Sequence, residues 1–182
     1  MIVIGIDPGI ANTGFGVVRG ASGKTVALDG GVIETSPDLS LPERLDRVYS
    51  AMVQLLDWHE PAAVALEDLY FGKNVGSAME VGQARGVVML AAAQKQIPCT
   101  DYTPQQVKSS VCGSGSADKE QVQEMVGRLL GLAEPPQPDH AADAFAVALC
   151  HLGHAPTVET LSRLGEGPVA TATPVTRKRA TG

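Results

Sequence analysis

The chain has 182 residues, of which 44% are hydrophobic and only 4% aromatic, and it carries a net charge of −6. That length predicts one domain, or one domain with a tail, whose core is filled by aliphatic side chains. The three cysteines lie far apart and form no Cys-x-x-Cys pair, which argues against a zinc site and against a disulfide framework. The acidic balance does not by itself favour nucleic-acid binding.

The start of the chain indicates neither a signal peptide nor a membrane anchor. Only six strand-like residues precede Asp7, with no basic segment before them and no long apolar segment after them. No stretch approaches the roughly eighteen apolar residues of a membrane-spanning helix. Together with the isolated cysteines, this predicts a cytoplasmic protein that does not bind membranes.

Three strands are predicted first. Residues 1–6 are apolar and rich in β-branched side chains, so they predict a strand that is buried on both faces and ends at Asp7. Residues 12–19 and 24–34 predict the second and third strands, with an interruption of the third at Gly30-Gly31. Because short turns join the three, an antiparallel meander is expected.

Helices and two further strands alternate after this meander. The predicted elements are a helix from Ser40 to about Trp58, a strand over 62–66, a helix over 77–96, a strand over 97–102, a short helix from Thr103, a loop over 111–117, a helix over 118–130 and a last helix from Asp139 to about His151. Ser40-x-x-Glu43 and Asp118-x-x-Gln121 have the form of helix-capping motifs. The order predicts an α/β fold: a five-stranded mixed sheet, three antiparallel and then two parallel strands, with helices on both faces.

The predicted domain covers residues 1–155. Beyond it the composition changes to Pro, Thr, Gly and Ala, and the chain ends close to a basic run at Arg177–Arg179. Residues 156–182 therefore predict a flexible tail with a basic tip.

Acidic residues follow two of the predicted buried strands and open the last helix. Asp7 and Glu67 end the strands, while Asp139, His140 and Asp143 begin the helix. Functional sites in α/β sheets gather at the carboxyl ends of strands, and helical spacing places His140 and Asp143 on one face. Oxygen ligands from separate elements suit Mg²⁺ or Mn²⁺. Two such ions, about 4 Å apart, would stabilise the attacking and leaving oxygens of a phosphodiester.

Each of these residues also has a simpler structural explanation. Asp7 lies in a common turn sequence, Glu67 could be a solvated strand end, and His140 could be a helix-surface residue. Asp143 could complement the helix dipole, and an N-cap is the favoured interpretation of Asp139. Their convergence on one place favours a shared site over five separate explanations.

Six motifs occur one after another along residues 1–152. They are Ile4-Gly5-Ile6-Asp7-Pro8-Gly9 with Asn12-Thr13-Gly14, Leu66-Glu67-x-x-Tyr70-Phe71 with Lys73-Asn74, Gly82-Gln83-Ala84-Arg85-Gly86, Gln106-Val107-Lys108, Gly115-Ser116-Ala117-Asp118-Lys119-x-x-Val122-x-x-Met125-Val126, and His140-Ala141-Ala142-Asp143-Ala144. In order and spacing they resemble the RuvC Holliday-junction resolvases. The resemblance implies a ribonuclease H-like fold and a homodimeric endonuclease that resolves four-way DNA junctions by paired symmetric cuts during recombination and repair. It also implies Mg²⁺ or Mn²⁺, two ions per site, and a RuvA–RuvB branch-migration complex as partner.

The resemblance assigns roles to single residues. Asp7, Glu67, His140 and Asp143 would hold the metal and form the catalytic site, and His140 would either ligate a metal or handle the proton of the attacking water. Lys108 and Lys119 would stabilise charge at the cleaved phosphate. The implied DNA contacts are Tyr70, Phe71, Lys73, Asn74, Arg85, Lys108 and Lys119. Tyr70 stands where the family usually has a Phe that stacks on bases, so either aromatic could stack, and core packing is the alternative for both.

Two other functions compete with nuclease activity. Asp7-x-Gly9 with Gly14 also resembles the phosphate-binding hairpin of actin-like ATPases and sugar kinases, but those enzymes need a second, similar domain and this chain contains no second copy. A non-catalytic junction-binding module would be expected to lack some of the acids, and none is missing. The helix over 77–96, with its small residues, is the predicted subunit contact.

Overall fold

The computed structural model describes residues 1–21, 23–68 and 75–163, together with their side chains except those of 75–77 and 155–163. The elements are β1 (Ile2–Asp7), β2 (Asn12–Ala21), β3 (Lys24–Glu34), α1 (Leu41–His59), β4 (Ala63–Glu67), α2 (Val75–Gln94), β5 (Cys99–Tyr102), α3 (Pro104–Cys112), α4 (Lys119–Leu130) and α5 (Asp139–Arg163). Within these ranges no helix has the length and apolar character that crossing a bilayer requires.

The strands form one five-stranded sheet in the order β3-β2-β1-β4-β5. β2 pairs antiparallel with both β1 and β3, whereas β4 pairs parallel with both β1 and β5. This is the predicted mixed sheet, so the fold prediction is confirmed. The strands β1 and β4 are adjacent and parallel, and Ile6 lies opposite Leu66. The next residues, Asp7 and Glu67, therefore end the two strands side by side.

Helices cover both faces of the sheet, and the sheet separates the hydrophobic core into two parts. Ile4 and Ile6 of β1 point toward α1 and α2, where they pack with Met52. Val3 points to the other face and packs with Phe145 of α5. The alternation follows from the two-residue period of a strand, and it explains why β1 is apolar on both faces. Each such buried side chain stabilises the fold by roughly 1.5–3 kcal/mol.

α5 lies directly against β1 and β2 because glycines leave room for its backbone. A Cβ at Gly5 would overlap the carbonyl oxygen of Ala144, and a Cβ at Gly14 would overlap that of His140. Ala142 and the other alanines in the first half of α5 are buried at the same contact. The missing side chains therefore set the distance between the sheet and the helix that carries His140 and Asp143.

The predicted capping motifs begin their helices. The carboxylate of Glu43 accepts a hydrogen bond from the backbone N–H of Ser40 at the start of α1. Asp118 and Gln121 form the reciprocal pair at the start of α4. Both pairs satisfy backbone N–H groups that lack a partner within the helix.

The structure differs from the sequence-based prediction most at three places, apart from shifts of two residues at the ends of α2 and at the start of β5. β3 is continuous through Gly30-Gly31, because the absent side chains make room for the rings of Phe145 and Phe15. α3 extends to Cys112, into the predicted loop. α5 runs to Arg163, so residues 156–163 of the predicted tail are helical. Residues 164–182, with the basic tip, lie outside the described residues, and the division into domain and tail stays a prediction.

Candidate active site

Four polar side chains from three elements meet at the carboxyl end of β1. Oδ2 of Asp7 lies 2.7 Å from Nδ1 of His140 in α5, 133 residues further along the chain. Glu67, at the end of the neighbouring strand, is close enough to Asp7 and Asp143 for both charges to act on it. The structure thus gathers into one cluster the four residues that the sequence predicts as one site.

Negative charge accumulates around Glu67. Its pKa is raised to about 7, first by burial and then by the charges of Asp7 and Asp143 and a hydrogen bond to Asp7, while Lys108 opposes the rise. Burial also raises the pKa of Asp143, with Lys119 opposing and Asp7 adding to the effect. A carboxyl group that keeps its proton near neutral pH marks a place where positive charge is in short supply.

Two lysines face the acids from α3 and α4. Nζ of Lys119 lies 3.0 Å from Oδ2 of Asp139 and 3.5 Å from Oδ2 of Asp143. Lys108 acts on Glu67 from α3, and both lysines line a pocket of about 210 Å³ with Glu67 and Asp143. The hydrogen bond to Asp139 raises the pKa of Lys119, so this side chain stays protonated. Acids and ammonium groups therefore share one cavity, an arrangement suited to a phosphate bound beside a cation.

The N-cap interpretation of Asp139 is wrong. Asp139 is the first residue of α5, and its carboxylate accepts hydrogen bonds from Lys119 and from Nε2 of Gln123, both in α4. These bonds lower the pKa of Asp139, the Lys119 bond contributing most. Asp139 therefore joins the starts of two helices and holds Lys119 beside the acid cluster.

The arrangement of the side chains bears directly on metal binding. In the part of the chain that the structure describes, no three His, Cys, Asp or Glu side chains already stand as a set that could hold a metal ion. His140 is bonded to Asp7, and Asp143 is paired with Lys119. The donor chemistry nevertheless fits a hard divalent cation, because three carboxylates from separate elements meet and the charges of Asp7 and Asp143 raise the pKa of the buried Glu67. Metal ligation by Asp7, Glu67, His140 and Asp143 stays a prediction.

The predicted DNA contacts divide into three groups, of which Lys108 and Lys119 line the pocket. Tyr70, Phe71, Lys73 and Asn74 lie outside the described residues. Arg85 is described, but only 12% of its side chain is exposed, and its guanidinium binds Asp101 and the backbone of Glu67. Asp101 was not predicted as a functional residue, because only the position of β5 beside β4 brings it to Arg85.

The raised pKa of Glu67 predicts an unusual pH dependence of stability. Because the native state holds this proton more tightly than the unfolded chain, the free energy of unfolding of the metal-free protein falls as pH rises from about 4.5 to about 7. Glu67→Gln removes the effect. The variant is expected to be more stable than the wild type at pH 8, by roughly 1–3 kcal/mol, and nearly equal to it at pH 5. Urea denaturation in EDTA at both pH values measures the difference.

Glu43→Gln is the control with the opposite sign. Hydrogen bonds from Ser40 lower the pKa of Glu43, so its contribution to stability is lost as pH falls. This variant is expected to gain no stability at pH 8. A Glu67→Gln protein less stable than the wild type at pH 8 would contradict the charge crowding inferred at the cluster.

Known proteins resemble this chain over most of its length. The family model described as "Crossover junction endodeoxyribonuclease RuvC" matches residues 3–151. A relative of that name from Roseiflexus sp. (strain RS-1) is 51% identical over 164 residues, which cover 90% of this chain and 96% of the relative. Another from Natranaerobius thermophilus is 50% identical over 151 residues, covering 83% and 94%.

Solved structures agree with the sequence matches. Thermus thermophilus RuvC superposes with a TM-score of 0.81 at 41% identity, covering 87% of this chain and 97% of that one. The T. thermophilus RuvC structure in complex with Holliday junction substrate gives a TM-score of 0.83 at 42% identity, covering 87% and 96%. With a matching family model and relatives near half identity, the chain belongs to the RuvC family and has its ribonuclease H-like fold.

Proposed function

We propose that this chain is an endonuclease that resolves four-way (Holliday) DNA junctions by paired, symmetric phosphodiester cuts during recombination and repair. The observation that carries the proposal is the cluster of Asp7, Glu67 and Asp143, in which burial and the two neighbouring charges raise the pKa of Glu67 to about 7 and which faces two lysines. The 42% identical T. thermophilus protein has been solved with a Holliday junction substrate, which supports the same substrate here.

Nucleases of the RuvC family depend on divalent metal ions in general. In this chain the carboxylates of Asp7, Glu67 and Asp143 would hold the metal, with His140 as a further ligand or as an acid–base group. Oxygen donors favour Mg²⁺ or Mn²⁺, and we propose two ions per site. Bound there, such ions supply Lewis-acid stabilisation of the charge that develops on the phosphodiester oxygens.

The remaining chemistry belongs to His140 and the two lysines. The bond from Nδ1 of His140 to Asp7 fixes the orientation of the imidazole, so proton exchange with an attacking water would take place at Nε2. Lys119 and Lys108 would hold the phosphate at the pocket and stabilise its added negative charge. The raised pKa of Lys119 keeps this side chain cationic at neutral pH.

The DNA-binding surface reaches beyond the pocket. Tyr70 or Phe71 would stack on unpaired bases at the crossover, which contributes about 1–3 kcal/mol per base. Lys73 and Asn74 would contact the backbone nearby. A RuvA–RuvB complex is the proposed partner by family membership. The cytoplasm is the proposed location, since all three cysteines are unpaired.

A homodimer would let two sites cut opposite strands. Four-way junctions have two-fold pseudo-symmetry, which a two-fold dimer matches. α2 offers the surface: Met79 and Leu90 are 63% and 52% exposed, and a Cβ at Gly86 would meet nothing within 4 Å. These three residues recur at helical spacing along one stripe of α2. The stripe is apolar and open, as a contact between two copies requires.

Leu90→Glu is expected to dissociate this dimer. A charge placed in an apolar contact must lose its hydration, so the dimer dissociation constant should rise by at least about 100-fold. Light scattering coupled to size-exclusion chromatography measures the change. The matched control is Leu129→Glu, because Leu129 is similarly exposed (46%) but lies on α4. A monomer from the Leu129 variant with an intact dimer from the Leu90 variant would contradict α2 as the contact.

A gel assay tests the proposed function directly. A synthetic four-way junction should be cut at symmetric positions with Mg²⁺ or Mn²⁺, whereas linear duplex of the same sequence should survive and EDTA should stop the reaction. Tight junction binding without cutting under any divalent ion would favour the non-catalytic junction-binding module. ATP turnover would favour the kinase-like alternative.

A further inference from the structure

Arg85 joins three elements at the border of the acid cluster. From α2, its Nη1 donates a hydrogen bond to the backbone carbonyl of Glu67 at 2.8 Å. Its Nη2 lies 2.6 Å from Oδ2 of Asp101 in β5 and 3.8 Å from Oδ1 of Asp68. The Arg85 side chain is 12% exposed, against 46% for Asp101 and 48% for Asp68. The guanidinium is therefore largely buried. The carboxylates of Asp101 and Asp68 hold it in place, and it donates a hydrogen bond to the Glu67 carbonyl.

The Glu67 peptide needs this link because the sheet ends there. The pairing of β1 with β4 stops at Ile6 opposite Leu66. Pro8 follows Asp7 and lacks an N–H, so β1 offers no further donor at this level. On the β5 side the ladder continues one step, with the N–H of Asp68 donating to the carbonyl of Tyr102 at 2.8 Å. Arg85 thus binds the carbonyl of the residue whose side chain enters the acid cluster.

We propose that Arg85 is a positioning residue that holds the Glu67 carboxylate against Asp7 and Asp143 by fixing the Glu67 peptide plane. Fixing that plane sets the direction of the Cα–Cβ bond and therefore the position of the carboxylate. The effect is geometric: the cation that opposes the charge crowding at Glu67 is Lys108. A planar guanidinium can bind a carbonyl and a carboxylate at once, which a lysine ammonium does not reproduce.

The inference rests on the proposed nuclease function, and it differs from a DNA contact by Arg85. A side chain that binds a phosphate contributes to junction affinity and to its salt dependence. A side chain that positions Glu67 contributes to the rate of cutting after the junction is bound, because small misplacements of reacting groups slow catalysis strongly. The two roles therefore predict opposite patterns in the same pair of measurements.

Arg85→Lys separates the two roles because it keeps the positive charge but loses the planar guanidinium that binds a carbonyl and a carboxylate at once. The single-turnover cleavage rate is expected to fall about 10- to 100-fold, while the junction dissociation constant in EDTA stays within about twofold. A higher Mg²⁺ concentration should be needed for half-maximal cutting, and Mg²⁺ should raise the melting temperature less than in the wild type. Asp101→Asn, which removes the partner that orients Arg85, should act in the same direction and more weakly.

Arg128→Lys is the control, since Arg128 forms an exposed ion pair with Glu124 on α4. It should match the wild type in every measurement. Weaker junction binding with an unchanged single-turnover rate in Arg85→Lys would overturn the positioning role in favour of a DNA contact, and an unchanged rate and affinity would also overturn it. If Arg85→Lys does not fold, Asp101→Asn decides by the same readouts. If the wild type cuts no junction, the proposed function fails, and the melting response to Mg²⁺ still decides the role of Arg85.

Discussion

Asp7→Asn is expected to abolish junction cleavage while leaving the protein folded and able to bind the junction. Asn has nearly the same shape and can still accept the hydrogen bond from His140, so the packing at the end of β1 is preserved. The lost charge is the one that the proposed metal site depends on. We expect the single-turnover rate to fall by at least about 1000-fold, or about 4 kcal/mol of transition-state stabilisation.

The measurement pairs a cleavage assay in Mg²⁺ with a binding titration in EDTA. Asp57→Asn is the control, because Asp57 forms an exposed ion pair with Lys95. Asp57 lies near the end of α1, which leads into the start of β4, whereas Glu67 lies at the end of β4. That variant should cut at the wild-type rate. Equal loss of cutting and binding in Asp7→Asn would mean that the residue supports the DNA surface or the fold, and the acid cluster would lose its proposed role.

Gly14→Ala is expected to damage the site through the backbone of α5. Gly14 lies opposite Asp7 in the sheet, and its Cβ would overlap the carbonyl oxygen of His140. The start of α5 must therefore move away, and His140 and Asp143 move with it. Added volume at a packed contact costs about 1–3 kcal/mol, and a displacement near 1 Å at the reacting groups can slow the reaction about 100-fold. Thermal melts and single-turnover cleavage measure the two effects separately.

Gly20→Ala is the matched control on the same strand beneath the same helix. Its Cβ would lie 3.0 Å from a methyl group of Leu152, and the end of a flexible side chain can give way. This substitution should leave cleavage unchanged and alter the melting temperature only slightly. A Gly14→Ala protein that cuts at the wild-type rate would show that the spacing between β2 and α5 does not control the site.

The acid cluster could be predicted from sequence because its residues carry local signals. Asp7 and Glu67 directly follow apolar, β-branched runs, and the ends of adjacent parallel strands meet. His140 and Asp143 are three residues apart, so helical periodicity alone places them on one face. The first residues of two helices could also be predicted, because capping residues within four positions determine them. These are Leu41 in α1 and Lys119 in α4.

No local pattern in the sequence predicts the contacts that Arg85 and Lys119 make. Arg85 binds Asp101 only because β5 lies beside β4 and α2 crosses above both, an arrangement set by packing between distant elements. The pair of Lys119 with Asp139 likewise depends on how α4 meets α5. The end of α5 was also out of reach, since Pro156 locally favours a stop while the helix continues to Arg163.

The acid cluster is completed by α5, the last helix in the part of the chain that the structure describes. During synthesis on the ribosome, β1 and β4 emerge first, and a nascent chain with both strands already paired still lacks His140 and Asp143. Only after α5 has left the exit tunnel and docked over Gly5 and Gly14 do the four side chains face one another. A chain truncated before α5 therefore lacks His140 and Asp143 and cannot assemble the four-residue cluster.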